Sequence, residues 1–126
     1  MSQSIRDFER SGVAGEAMTD KQYYIVQLDA TGKIEVAEGA TDLIVGVLQN
    51  KPASGAAALY RFGGTTKVIA GGAINPGDWV TTDGNGKAVA TTTDGNITIG
   101  RFIGLAAAAS GDIIEVQMSI QHLYTA

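Results

Sequence analysis

Gly71-Gly72-Ala73-Ile74-Asn75-Pro76-Gly77-Asp78-Trp79-Val80-Thr81-Thr82-Asp83-Gly84-Asn85-Gly86-Lys87-Ala88-Val89 reads as turn, strand, turn, strand. Asn75-Pro76-Gly77-Asp78 has turn chemistry: proline presets φ near −65° at the second position and glycine accepts φ > 0 at the third. Trp79-Val80-Thr81-Thr82 is a short β-prone run that carries the single tryptophan of the chain. Asp83-Gly84-Asn85-Gly86 supplies the strongest hairpin signal in the sequence, and Lys87-Ala88-Val89-Ala90 begins the return strand. No side chain in this stretch is set up for chemistry. It builds a scaffold.

Working outward, the same pattern recurs. An offset of 54 positions sets Val26 on Val80, Asp29 on Asp83, Gly32 on Gly86 and Lys33 on Lys87. It also sets Leu43 on Ile97, Val45 on Ile99 and Gly46 on Gly100, and two extra residues bring Ser54-Gly55 onto Ser110-Gly111. One Asp-x-x-Gly-Lys turn means little, but matched turns followed at the same distance by matched apolar runs predict two similar β units, over about 23–62 and 77–118. Two such units can pack their apolar faces as a sandwich or a closed barrel. The expected strands are Tyr24–Leu28, Lys33–Ala37, Leu43–Leu48, Ala56–Phe62, Thr65–Ala70, Trp79–Thr82, Lys87–Ala90, Ile97–Leu105 and Asp112–Ile120. Leu43–Leu48 is continuously apolar and is expected to be buried on both faces, whereas Ile114, Val116, Met118 and Ile120 alternate with polar residues.

Residues 1–20 differ from the rest and are expected to form an extended N-terminal arm outside a β-domain over 21–126. A helical turn from Ser4 to Arg10 would bring Ile5 and Phe8 to one side, where they could dock on another subunit or a partner. Val13, in the arm, and His122 and Tyr124, at the other end of the chain, complete the expected interface.

Composition narrows the function. At 126 residues the chain is long enough for one domain with a hydrophobic core that needs no staple. With no cysteine, disulfides and thiolate metal sites are excluded. The net charge is −4 and the nine Lys and Arg residues are dispersed, which argues against a binder of the nucleic-acid backbone. No apolar run has membrane-spanning length, and the first residues carry no apolar signal core, so cytoplasmic synthesis is expected. Seventeen glycines suit short strands joined by tight turns.

Candidate chemistry is sparse. Asp83-x-Asn85 and Asp94-x-Asn96 alternate oxygen ligands as a calcium loop does, yet neither runs on to a twelfth-position glutamate. They are expected to be turn residues bonding their own backbone. Gly71, Gly72, Gly84 and Gly86 open no phosphate-binding helix, and Ser54 and Ser110 have no base in view. A hydrolase would have to rely on His122, the single histidine. No catalytic residue, metal or cofactor is therefore expected. Trp79 reads as a core residue; exposed beside Tyr23 and Tyr24 it would instead suit sugar stacking, as in a carbohydrate-binding or host-adhesion module.

Ala70-Gly71-Gly72-Ala73-Ile74, Gly77-Asp78-x-Val80, Asp83-x-x-Gly86-Lys87-Ala88-Val89, Ile99-Gly100 and Gly111-Asp112-x-Ile114-x-Val116 together resemble the signature of small phage capsid decoration, or cement, proteins. The resemblance spans residues 23–120. It implies a compact β-domain, a homotrimer, and binding to the major capsid protein on the outside of the head shell at local threefold axes. A non-enzymatic virion protein follows, with no nucleic-acid or membrane partner.

Overall fold

The computed structural model describes residues 8–123, which form ten strands and, among these residues, no helix. They are β1 (Glu9–Val13), β2 (Ile25–Leu28), β3 (Ile34–Val36), β4 (Ile44–Leu48), β5 (Ala57–Arg61), β6 (Thr65–Ile69), β7 (Trp79–Thr82), β8 (Ala88–Ala90), β9 (Ile97–Phe102) and β10 (Ile113–His122). Two five-stranded antiparallel sheets result, in the orders β1-β5-β4-β2-β3 and β6-β10-β9-β7-β8. The second order is the first with five added to every strand number. The expected all-β fold of two related units is what the chain forms.

The duplication reaches individual hydrogen bonds. In the first unit the Gly15 amide donates to the Ile34 carbonyl at 2.8 Å; in the second, Gly71 donates to Ala88 at 2.7 Å. Parallel bridges between Ala14 and Ile34, and between Ala70 and Ala88, draw the end of the first strand of each sheet against its third. Each sheet is thus rolled, with its two edge strands meeting at one end. Such rolling shortens exposed strand edges, which are otherwise templates for unwanted pairing.

The first unit has a small core of its own: Ala14, Met18, Val26, Ile34, Leu48 and Ala58. A larger cluster joins the two units, setting Ile25, Ala37, Ile44 and Val47 against residues of the second, among them Val68, Val80, Ile99, Phe102, Val116 and Met118. Because β2 and β4 contribute side chains to both clusters, they are buried on both faces. The run Ile44–Leu48 is accordingly buried almost throughout, while Leu43, just before it, is exposed. Gly46 and Gly100 sit where a Cβ would run into the backbone carbonyls of Arg61 and Gln117, so only glycine lets these strand pairs close.

The described part of the expected arm is built into the domain. Glu9–Val13 pairs with β5 as an edge strand, and Ala14 and Met18 are buried. Glu9 and Arg10 are therefore strand rather than helical turn, because an antiparallel ladder with β5 satisfies backbone groups that one isolated turn would leave to water. The rest of that turn, with Ile5, lies outside the described residues, as does Tyr124.

Candidate interaction surfaces

Both hairpin tips are held by an aspartate. Asp83 Oδ1 accepts the amides of Asn85 at 2.8 Å and Lys87 at 2.9 Å. Asp29 Oδ1 does the same for Thr31 and Lys33, and also accepts the Thr31 hydroxyl at 2.7 Å. These bonds, the Thr31 hydroxyl first and the Lys33 amide second, hold the Asp29 carboxyl below the usual carboxylate range. The carboxylates so used are turn-builders, as expected. Among the described residues no group of three or more His, Cys, Asp or Glu converges to hold a metal ion.

Alike in the amide bonds that their aspartates accept, the two tips have different surroundings. The β7–β8 tip docks on the first unit: the Ile25 amide donates to the Gly86 carbonyl at 2.7 Å, and Gly86 is packed against Val36 and Tyr24. Glu16, Lys21, Val36, Glu38, Gly84 and Asn85 line the shallow cleft beside this junction. The β2–β3 tip projects into open space. Gly32, the counterpart of Gly86, has nothing within 4 Å of the position a Cβ would occupy.

A groove of about 410 Å³ opens on the second unit, lined by Gly77, Asp78, Trp79, Ala90, Thr92 and Arg101 among others. The Arg101 guanidinium lies 4.3 Å from the Trp79 ring centroid, a cation–π contact that covers one face of the ring. Trp79 is half-buried, at the start of β7, whereas Tyr23 and Tyr24 precede β2 in the other unit, and Lys21 Nζ stands 4.8 Å from the Tyr24 ring. The three rings do not form one stacking platform.

The other residues singled out in the sequence are scattered. Phe8 is 45 % exposed and meets Phe62 edge-to-face at 6.3 Å, against Gly63. Val13 is exposed at the end of β1, and His122 is exposed at the end of β10, opposite Ile97. Ser54 and Ser110 are exposed turn residues. The groove residue Arg101 went unnoticed in sequence reading. Its signal was available, since Arg101 breaks the apolar run Ile97–Ile103 at the position where Val47 stands in the first unit.

A family model described as phage cement protein matches residues 19–118, four-fifths of the chain. The chain belongs to the phage cement protein family. This cement protein is accordingly a phage structural protein of the capsid. Among curated proteins no sequence matches. Among solved structures, the N base of head fiber gp8.5 of bacteriophage phi29 is similar, with a TM-score of 0.68 at 20 % identity over 93 % of this chain and 98 % of that one. At that identity the likeness concerns the fold, and it covers more of the chain than the family model matches.

Proposed function

We propose that the protein is a homotrimer that binds the outer surface of an assembled phage head at local threefold axes, contacts the major capsid protein there, and stabilises the shell. The observation that carries this reading is membership of the cement family over residues 19–118. A protein that binds the assembled lattice and not its dissociated subunits stabilises the lattice by mass action. Three copies acting as one raise the effective concentration of each contact, so weak single contacts suffice. The two-unit fold suits such a clamp: its strands interlock through a shared core and its function calls for no catalytic group.

The contact with the shell is assigned to the chain ends, where Ile5, Phe8, Val13, His122 and Tyr124 lie. The test is co-sedimentation of purified protein with empty heads lacking it, using the full chain and a variant without residues 2–7. Residues 8–16 must stay, because Ala14 is buried and β1 is paired. The full chain should saturate the heads at three copies per threefold site and raise their melting temperature, and the shortened chain should remain folded but bind at least tenfold more weakly. Heads that pellet without the full chain would overturn the reading.

A further inference from the structure

The face that the second unit covers on the first has a counterpart that nothing among the described residues covers. At the junction the first unit presents Ile25, Val36, Ala37, Glu38 and Val47. The offset of 54 that relates the units carries these onto Trp79, Ala90, Thr91, Thr92 and Arg101, and all five line the groove on the second unit. The tip that fills the junction from the second unit, Asp83 to Lys87, has its counterpart in Asp29 to Lys33, which is exposed from Ala30 onward and projects into solvent. One molecule therefore carries both halves of a junction it makes once internally: an unfilled socket at one end and an unused tip at the other.

We infer that a second copy of this chain fills the groove, its β2–β3 tip entering beside Trp79 and Arg101 as the β7–β8 tip enters beside Ile25 and Val47. The contact is head-to-tail, so it closes into a ring or continues as a filament. The inference rests on the homotrimer reading above and names the surfaces that would make it. Residue types agree with the assignment. Tryptophan and arginine are enriched where interfaces concentrate their binding energy, and they tolerate water before the partner arrives. The permanently covered positions hold the aliphatic pair Ile25 and Val47, both fully buried.

The internal junction supplies the ruler for a test. Within the chain a Cβ on Gly84 would stand 3.8 Å from the Glu38 carbonyl. Their counterparts are Ala30 and Thr92, both exposed, and the chain has no cysteine of its own. The variant Ala30→Cys/Thr92→Cys, oxidised mildly at concentrations rising to millimolar, should run on non-reducing gels as covalent dimers and trimers that reductant returns to single chains. Each single variant should stay mainly monomeric. Light scattering of the unsubstituted chain separates the two ways to fail. A trimer whose double variant gives no more cross-linking than the single variants overturns the tip-and-groove junction and leaves the trimer standing. A monomer at every concentration with no cross-linking overturns both. A double variant that loses its free thiols at the mass of one chain also overturns the junction.

Discussion

Gly32 and Gly86 form an internal control for the energy that locks the two units together. Both adopt left-handed backbone, with φ of 85° and 79°, at the same position of the same turn. Replacing either by alanine costs about 1–2 kcal/mol for placing a Cβ in that region, offset by about 0.4–1 kcal/mol from the stiffer unfolded chain. For Gly32 nothing further changes, because no atom lies within 4 Å of the new methyl group. For Gly86 the methyl group meets Val36 Cγ1 and stands 3.0 Å from the Ile25 carbonyl oxygen. The tip has to lift, and the bond from the Ile25 amide to Gly86 goes with it. A buried donor left unpaired costs about 1–3 kcal/mol, and forcing a methyl group into a packed junction costs about 1–3 kcal/mol. These two overlap, since lifting relieves the clash, so Gly86→Ala should lose roughly 2–3 kcal/mol more than Gly32→Ala. At this chain length that is a further fall in Tm of about 10 °C. Urea titrations of both variants, repeated at several protein concentrations to remove any contribution from association, give the difference directly. Equal losses would refute the reasoning, because the junction would then contribute nothing that the free tip lacks.

Three further outcomes are expected. Gly100→Ala should cost about 3–5 kcal/mol in a urea titration, since its φ of 147° is glycine territory and a Cβ there meets the backbone of Gln117 and Met118 across the β9–β10 ladder; a loss below about 1 kcal/mol would show that the ladder yields freely. Glu9→Gln should lower stability by about 1 kcal/mol, and by less at high salt, because Glu9 sits directly opposite Arg61 and accepts its Nε–H at 3.1 Å in a partly exposed pair. Asp29 has a folded-state pKa below the unfolded one, so its contribution is present above the ordinary carboxylate pKa of about 3.9 and is lost as pH falls through the folded value; the stability difference between the native chain and Asp29→Asn, measured by urea titration, should therefore be largest near neutral pH and shrink in acid.

The parts of the fold legible in the sequence were those written in local chemistry. The Asp-x-x-Gly-Lys turns announced two hairpins, and the offset between them matched β2 with β7 and β3 with β8 residue for residue. Alternation in the last strand was equally plain, with Ile114, Val116 and Met118 buried and Glu115, Gln117 and Ser119 exposed. β1 was not legible as a strand. Glu9-Arg10-Ser11-Gly12 has neither apolar alternation nor β-branched residues, and its pairing is imposed by β5. Its kinship with β6 was written at a different offset, 56, in Val13-Ala14-Gly15 against Ile69-Ala70-Gly71 and Ala17-Met18 against Ala73-Ile74. The stretch from Met18 to Tyr23 is two residues longer than that from Ile74 to Gly77, so a search in one phase loses the match. Composition alone does not distinguish such a polar edge strand from a tail.

What local chemistry could not reveal is that the two units, alike in topology, face different solvents. A covered surface favours aliphatic side chains: each loses little on folding and gains about 25 cal/mol for every square ångström of apolar area removed from water. Ile25 and Val47 obey that rule beneath the second unit. Had the second unit kept the same two residues at the corresponding positions, it would present an open aliphatic patch, a known route to indiscriminate association. Trp79 and Arg101 resolve the conflict. The guanidinium caps the indole and stays hydrated at its edge, so the pair is stable in water, and its planar faces remain suited to a partner of matching shape. At these two positions the halves differ where a permanent contact in one corresponds to a solvent-facing surface in the other, and the difference spares the second unit an open aliphatic patch.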